Sequence, residues 1–372
     1  MTIKTFIAII IFLLVVFQLL QIYFFKRKQL VTGGIFLFFF WGTFGYMLFN
    51  FYIMYSSNTP KGLILEPKTI VINKGSSLSR VADQLYSEEL IRNKRFFIWT
   101  ANLLGMESRI KAGKYLILAN LSNSDIIEQL VKGDVIQDKV TLIEGQTARI
   151  YASILSQTLE VDSTRFMDIV FDENITRKLG IDATNLEGYL FPNTYNFTWG
   201  VTEMDIVETL VSEFKKNVSD SVIAGAESLN MTLHEIVTLA SIIEGEAVID
   251  DERSMISSVY HNRLEKNMKL EADPTIQYII PDGPRQLTNK DLQIDSPYNT
   301  YLNQGLPPGP INNPGLKSLM AAAYPATSSY LFFVAIGEGK HAFSRTYSEH
   351  LKAKETLDQL RRENRKKNSG IK

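Results

Sequence analysis

The sequence has no cysteine and few histidines, and these shortages exclude several kinds of chemistry. Its 372 residues include 0 cysteines and 4 histidines. Without cysteine, disulfides, zinc–thiolate sites, iron–sulfur clusters and thiol nucleophiles are excluded. The histidines show no metal-ligand spacing, and His234-Glu235 lacks the second histidine of a zinc-protease helix. Serine elbows, phosphate loops and dinucleotide fingerprints are also missing from the sequence.

Acidic residues are absent from the first 55 positions, although the whole chain is balanced in charge. Lys and Arg number 39, Asp and Glu number 40, and the net charge is -1. This balance argues against nucleic-acid binding, which normally leaves a basic footprint. Residues 1–55 carry four basic side chains, so the remainder has a net charge of -1 minus 4, or -5.

Residues 1–55 form a predicted membrane region with two apolar runs, 3–25 and 30–55. Each run reaches the roughly 20 residues that cross a bilayer as a helix. The short basic loop between them, 26–29, should stay on the cytoplasmic side. Everything after about residue 56 is then extracytoplasmic (the periplasmic side of the cytoplasmic, or inner, membrane). A single span is the alternative, and it leaves the large domain outside as well.

Residues 66–137 form a small predicted unit of β-α-α-β order. The strands are predicted at 69–73 and 114–118, with a helix from Leu78 and a second helix around Trp99. This order, with a Gly-Ser-Ser-Leu turn, loosely resembles a LysM module, a fold associated with binding amino-sugar polymers. Glycan binding and a purely spacing role both stay open.

The rest of the chain is predicted as a larger mixed α+β domain over 140–352, followed by a basic tail over 353–372. The fold class is therefore α+β throughout the soluble part. A helix pair, 233–248 and 251–266, should frame a cleft. The tail is most simply a solvated face.

The most informative residue is a glutamate near the end of the first helix of that pair. Thr232 and Glu235 form a capping box, which predicts a helix from Leu233. At 100° per residue, Glu244 falls on the apolar side, whereas Glu246 points nearly the opposite way. A carboxyl group on an apolar face is costly to ionise and should keep its proton, as a general acid for glycosidic cleavage requires. In the alternative, Glu244 turns to solvent or pairs with an arginine.

Other polar and aromatic residues are candidates for the walls of the cleft. Gly305–Gly315 is rigid and rich in turns, so it is either a connector or a cleft wall. Asp273 is the leading second polar group, because it precedes Pro274 in a segment that leaves the helix pair. The further candidates for substrate binding are Glu187, Tyr189, Tyr298, Asn299, Tyr301 and Asn313.

A series of short motifs then resembles a known family. The motifs are Leu186–Tyr195, Leu239–Glu244, Val259–Leu264, Asp273–Ile276, Ser296–Tyr301, Gly305–Gly309, Asn313–Gly315 and Tyr330–Val334. Together they closely resemble the YceG-like family, the membrane-bound endolytic murein transglycosylases called MltG. The likeness runs from about residue 60 to residue 352. It departs from the family in having two apolar runs rather than one, and in Glu271, where the family commonly has Gln.

This resemblance implies a lyase that cuts nascent peptidoglycan strands internally and ends their elongation. The bond is the β-1,4 link between N-acetylmuramic acid and N-acetylglucosamine, and the product is a 1,6-anhydromuramyl end. The family's catalytic glutamate falls on Glu244. Association with penicillin-binding proteins is implied by the resemblance alone.

No metal or organic cofactor is expected, because proton transfer and an internal nucleophile account for the chemistry. One carboxyl group serves both steps if it first donates a proton and then removes one. Two alternatives remain: a muramidase, in which water reaches C1 first, and a non-catalytic glycan-binding scaffold of cell-wall synthesis.

Overall fold

A computed structural model describes residues 3–26, 30–58, 66–118, 120–218, 220–337 and 339–356. The chain divides into two compact units: Met1–Gln137 with Thr198–Gly200, and Asp138–Phe197 with Val201–Lys372. Most of the predicted basic loop, 27–29, and most of the tail, 357–372, lie outside the described residues.

The first unit begins with two apolar helices, α1 (Ile3–Lys26) and α2 (Leu30–Tyr55). The helices contact one another, and the rings of Phe17 and Phe40 stack at 3.9 Å between centroids. Among the described residues, one helix, Val31–Tyr55, is long and apolar enough to cross a membrane, whereas Ile11–Lys26 is a shorter apolar helix. One N-terminal apolar helix is therefore established by length and composition, and the second span stays a prediction.

The small module after these helices has the order β-α-α-β and then one more helix. Its elements are β1 (Lys68–Ile72), α3 (Leu78–Ser87), α4 (Lys94–Leu103), β2 (Gly113–Ile117) and α5 (Asn123–Lys132). β1 and β2 pair antiparallel, with Ile70 opposite Tyr115. The side chains of Ile70, Leu85, Phe97 and Tyr115 form much of a buried core. Each helix starts with a side-chain cap, Ser77 for α3 and Asn93 for α4.

The second unit is mainly helical, with two small two-stranded sheets among its described residues. Its first part holds β3 (Gln137–Thr141), α6 (Ala148–Leu159), α7 (Ser163–Val170), α8 (Glu173–Lys178), β4 (Thr194–Thr198), α9 (Glu203–Asn217) and α10 (Asp220–Ser228). Its second part holds α11 (Leu233–Glu246), α12 (Arg253–Glu265), α13 (Asp273–Ile279), α14 (Leu316–Ala323), β5 (Phe332–Gly337) and β6 (Lys340–Ser344). β3 pairs with β4, and β5 pairs with β6. This is the mixed α+β architecture that the sequence predicts.

Helix α11 is the central element of the second unit. Its predicted capping box is present, since Thr232 Oγ1 accepts a hydrogen bond from Glu235 N and the Glu235 carboxylate accepts one from Thr232 N. Every residue from Ile236 to Ile243 is buried, because α10, α12, α13 and α14 all contact this helix. A 3-10 turn at Asp250–Glu252 links α11 to α12, so the predicted helix pair is found within two residues of its expected ends.

Candidate active site

The last turn of α11 carries two glutamates, Glu244 and Glu246, in different surroundings. A helix turns about 100° per residue, so two side chains two positions apart point roughly 200° apart. On a helix with one solvent-exposed face, one of these two side chains would point into the solvent. Because neighbouring elements surround α11, each glutamate meets protein.

Glu244 is buried in an ion pair. Its side chain is 6% exposed, and its Oε1 accepts a hydrogen bond from Arg253 Nη1 at 3.0 Å. Its Oε2 accepts a second one from the backbone N–H of Gly315 at 3.0 Å, at the start of α14. Glu244 thus links the last turn of α11 to a side chain of α12 and to the backbone at the start of α14. The pairing with an arginine, which was the alternative to a proton-donating Glu244, is therefore present.

More charges surround this ion pair. Arg253 also pairs with Asp250 at 3.1 Å, and Lys317 pairs with Asp250. The carboxylate of Glu144 lies against Gly315, so close that a Cβ atom at this position would collide with it. Partial burial, followed by the charge of Glu244, raises the pKa of Glu144 above its ordinary value. The cluster ties the last turn of α11 to the first turns of α12 and α14, and its members are not among the cleft-lining residues described below.

Glu246 lines a cleft of about 380 Å³. The described residues around this cleft are Glu246, Arg263, Leu270, Glu271, Asp273, Tyr301, Phe333, Val334, Ala335, His341, His350 and Lys354. Burial raises the pKa of the Glu246 carboxyl to about 7, and the nearby charge of Asp273 adds to the effect. The hydrogen bond that Tyr260 Oη donates to Glu246 Oε1, at 3.0 Å, opposes it. Glu246 therefore holds its proton up to near neutrality.

Two of the predicted substrate-binding residues, Asp273 and Tyr301, line this cleft. Asp273 lies at the first position of α13, where Pro274 follows within the first turn. Its Oδ1 accepts a hydrogen bond from Tyr301 Oη at 2.6 Å. This contact fixes a second carboxylate beside Glu246 and places the Tyr301 ring on the cleft wall.

Other residues that line the cleft are basic and aromatic. Arg263 pairs with Glu271 at 3.2 Å, donates to the carbonyls of Lys269 and Leu270, and lies 5.1 Å from the centre of the Phe332 ring. His341 Nδ1 lies 2.8 Å from Glu252 Oε2. The acid predicted at position 271 thus neutralises an arginine of the wall.

Glu187, Tyr189 and Asn313 lie together away from this cleft. Glu187 is 2% exposed and its Oε1 accepts hydrogen bonds from Ala148 N at 2.9 Å and Asn313 Nδ2 at 3.0 Å. Desolvation raises the pKa of Glu187 to about 7, although the hydrogen bonds from Ala148 and Asn313 lower it. Tyr189 Oη lies 2.7 Å from His234 Nδ1. These contacts hold loops in place, and a role in substrate binding stays a prediction for all three.

Tyr298, Asn299 and the turn-rich segment Gly305–Gly315 also lie outside the described lining of the cleft. Asn299 is fully buried and its Nδ2 donates to the carbonyls of Leu292 and Ile294, so it closes a turn. The ring of Tyr298 packs against that of Tyr278 in a tilted arrangement, with 5.1 Å between centroids. The segment Gly305–Gly315 packs along α11, where Ile311 N donates to Ser241 Oγ at 3.0 Å. This segment supports the central helix, and a role as a cleft wall stays a prediction.

Within the described part of the chain, no group of three His, Asp or Glu side chains is arranged to hold a metal ion.

Comparison with known proteins identifies the chain. Residues 70–356 match the model of the YceG-like family. The chain belongs to the YceG-like family. An endolytic murein transglycosylase of Bacillus subtilis is 35% identical over 327 residues, which cover 78% of this chain and 87% of that protein. A protein of the same name from Streptococcus pneumoniae is 28% identical over 314 residues, covering 76% of this chain and 57% of that protein.

A solved structure supports the fold of this YceG-like chain. The crystal structure of a YceG-like protein from Listeria monocytogenes superimposes with a TM-score of 0.54 at 33% identity. The match covers 77% of this chain and 99% of the other.

Sequence reasoning missed Glu246 as a residue of the site. An apolar stripe identifies the buried side of a helix only where the other side faces water. In α11 the unbroken burial from Ile236 to Ile243 removes that condition. The unusual run of eight apolar or small residues before Glu244 was the available signal that the helix is enclosed on all sides.

Proposed function

We propose that this YceG-like chain is an endolytic murein transglycosylase that uses Glu246 as its general acid and base. The observation that carries the assignment is the cleft: it holds a carboxyl group whose pKa is raised to about 7 by burial. A general acid works best when its pKa lies near the working pH. The curated relatives bear the name of the same activity.

The reaction needs one carboxyl group and no water. Protonated Glu246 donates its proton to the glycosidic oxygen between N-acetylmuramic acid and N-acetylglucosamine. The bond from C1 to that oxygen breaks, and positive charge develops at C1. Glu246, now a carboxylate, removes the proton of the muramyl C6 hydroxyl, whose oxygen bonds to C1. The products are an N-acetylglucosamine 4-hydroxyl and a 1,6-anhydromuramyl end, with the proton returned to Glu246.

Glu244 is assigned a positioning role in this proposal. Its charge is balanced by Arg253 and by the Gly315 N–H, so giving and taking a proton there would break two short contacts. The ion pair instead fixes the last turn of α11, on which Glu246 lies. The prediction that Glu244 is itself the acid is decided by the experiment below.

Asp273 and Tyr301 are proposed to orient the sugar at the cleft. A second carboxylate close to Glu246 also gives the muramidase alternative a specific candidate, since Asp273 could activate a water molecule. The two outcomes differ in the mass of the product and not in the site that makes it.

The location is proposed from the apolar helices. Helix α2 is taken as a membrane anchor with the basic loop on the cytoplasmic side, which puts the catalytic unit outside the cytoplasm. The substrate is then the peptidoglycan strand as it is made. A LysM-like identity for the β-α-α-β module, its binding of glycan and association with penicillin-binding proteins all stay predictions.

The test is mass spectrometry of uncrosslinked glycan strands treated with the full-length protein, with Glu246→Gln and Glu244→Gln compared side by side. We expect anhydro ends from the wild type, none from Glu246→Gln, and residual anhydro ends from Glu244→Gln.

Three other results have definite meanings. Reducing ends, heavier than anhydro ends by one water, would make the protein a muramidase with the same acid. Loss of cleavage in Glu244→Gln alone would restore Glu244 as the acid. Absence of cleavage by the wild type in membranes as well as in detergent would favour the glycan-binding scaffold.

A further inference from the structure

Helix α4 of the small module packs on the C-terminal part of the apolar helix α2. Trp99 lies 6.3 Å from Tyr46 and 6.2 Å from Phe49, measured between ring centroids. Phe96 lies 6.0 Å from Phe49 in an edge-to-face arrangement. Aromatic pairs in this range of separation and angle attract one another. These contacts fix how far along α2 the module reaches.

Hydrogen bonds near the end of α2 hold the module in this position. Asn123, the first residue of α5, donates from its Nδ2 to the Ile53 carbonyl at 3.0 Å. Asn58 Nδ2 donates to Asn123 Oδ1 at 3.1 Å, and Arg92 Nε donates to the Asn58 carbonyl. The module is therefore joined to α2 by aromatic packing and by the hydrogen bond from the Asn123 side chain to the Ile53 carbonyl, not only by the chain between them.

The length of α2 then fixes the depth of these contacts in a membrane. A hydrocarbon core of about 30 Å takes up about 20 helical residues at about 1.5 Å each. The charged loop 26–29 cannot enter the core, so the span begins no earlier than Val31 and includes residues up to about 50. Tyr46 and Phe49 fall inside this range, up to about 6 Å below the outer edge of the core. Starting the span later would place them deeper.

The exposed surface of α4 suits this depth. Phe96, Trp99 and Leu103 follow one another at i, i+3 and i+7, so they share one side of the helix. Leu103 is 52% exposed, and Phe96 and Trp99 are partly exposed. Tryptophan and other aromatic residues favour the membrane–water boundary. Arg95, exposed in the first turn, adds a positive charge that suits anionic headgroups.

We infer that α4 is a membrane-contacting helix, whose Phe96–Trp99–Leu103 side lies in the outer interface of the membrane that α2 crosses. The ligand of this surface is the lipid boundary between headgroups and acyl chains. The inference rests on the proposed membrane anchoring of α2. It means that the module is held against the membrane surface and does not move freely above it.

The absence of cysteine gives a direct test with single-cysteine variants of the full-length protein. Leu103→Cys, Asn102→Cys and Phe39→Cys are each labelled with an environment-sensitive fluorophore and reconstituted into vesicles of phosphatidylglycerol and phosphatidylethanolamine. Asn102 is the matched control, because it is exposed, adjacent in sequence and about 100° away round the same helix. Phe39, 65% exposed in the middle of α2, is the reference for the lipid interior.

We expect a blue-shifted emission at Leu103 that loses intensity when brominated lipids replace ordinary ones, with a smaller loss at Asn102 and the largest loss at Phe39. Equal, water-like emission at Leu103 and Asn102 beside a quenched Phe39 would overturn the inference while leaving the anchor in place. An unquenched Phe39 would overturn the anchor and, with it, the inference.

Discussion

Replacing Glu246 by glutamine should remove the activity and, above neutral pH, make the protein more stable. The pKa of Glu246 rises from its ordinary value of 4.5 to about 7 in the folded protein. One unit corresponds to about 1.4 kcal/mol, so ionising Glu246 costs the folded state up to about 3 kcal/mol relative to the unfolded chain. Glutamine keeps the oxygen that accepts from Tyr260 Oη and never ionises, so it avoids this cost.

The pH dependence of this effect has a definite sign. Below about pH 4.5 the carboxyl group is protonated in both the folded and the unfolded chain, and the variant and the wild type should be equally stable. Between pH 4.5 and 7 the unfolded chain loses its proton while the folded protein keeps it, so wild-type stability falls relative to the variant. Above about pH 7 the difference stays near its full value of about 3 kcal/mol.

Urea unfolding of both proteins at pH 4, 6 and 8 measures this difference, and strand cleavage measures the activity. Removal of a general acid lowers the rate by about 100-fold to 10,000-fold. Glu244→Gln is the control, since it leaves Arg253 with a weakened partner and should lose about 1–3 kcal/mol at neutral pH. A Glu246→Gln protein that gains no stability at pH 8, or that still cleaves strands at the wild-type rate, would refute the reasoning.

Three further predictions concern the same unit. Tyr260→Phe removes a hydrogen bond that favours the ionised form, so it should raise the pKa of Glu246 and move the alkaline limb of the activity profile to higher pH. Asp273→Asn removes a neighbouring negative charge and should move that limb to lower pH; in rate profiles from pH 5 to 9, a limb that moves the other way in either variant contradicts the prediction for that residue. Glu187→Gln keeps the oxygen that accepts from Ala148 and Asn313, so it should gain stability above pH 7 and retain cleavage, and unfolding at pH 8 against pH 4 checks this. Thr232→Ala removes the cap of α11 and should cost about 1 kcal/mol at every pH, with Thr232→Ser retaining the wild-type value in the same urea titration.

Local signals in the sequence predict much of the fold. The capping box of Thr232 and Glu235 sets the start of α11, and the apolar spacing from Leu78 to Leu85 sets α3. These signals act within one or two helical turns, where the chain itself decides the geometry. The two long apolar runs appear as helices for the same reason.

The candidate site depends on contacts between distant segments, and this is where the sequence was insufficient. Glu244 and Glu246 are two residues apart, yet Arg253 and Gly315 surround one while Tyr260 and Asp273 surround the other. The direction of a side chain on a helix predicts which element it meets only when the packing of those elements is known. Asn299 shows the same limit, because its amide closes a turn that the sequence does not mark as such.

The two glutamates of the last turn of α11, Glu244 and Glu246, have different electrostatic surroundings. The carboxylate of Glu244 accepts hydrogen bonds from the Arg253 guanidinium and from the backbone N–H of Gly315, and these charge-assisted contacts make it a structural link between α11, α12 and α14. The charge of Arg263 lowers the pKa of Glu246, but the Nη1 of Arg263 is engaged by Glu271 and by two backbone carbonyls. The hydrogen-bond partner of Glu246 is the Tyr260 hydroxyl, and a pKa of about 7 lets the Glu246 carboxyl group hold or release a proton near neutral pH. The proposed reaction needs one carboxyl group to act first as acid and then as base. Glu246 can do so without disturbing the helix, because a different residue, Glu244, forms the ion pair that holds the last turn of α11 in place.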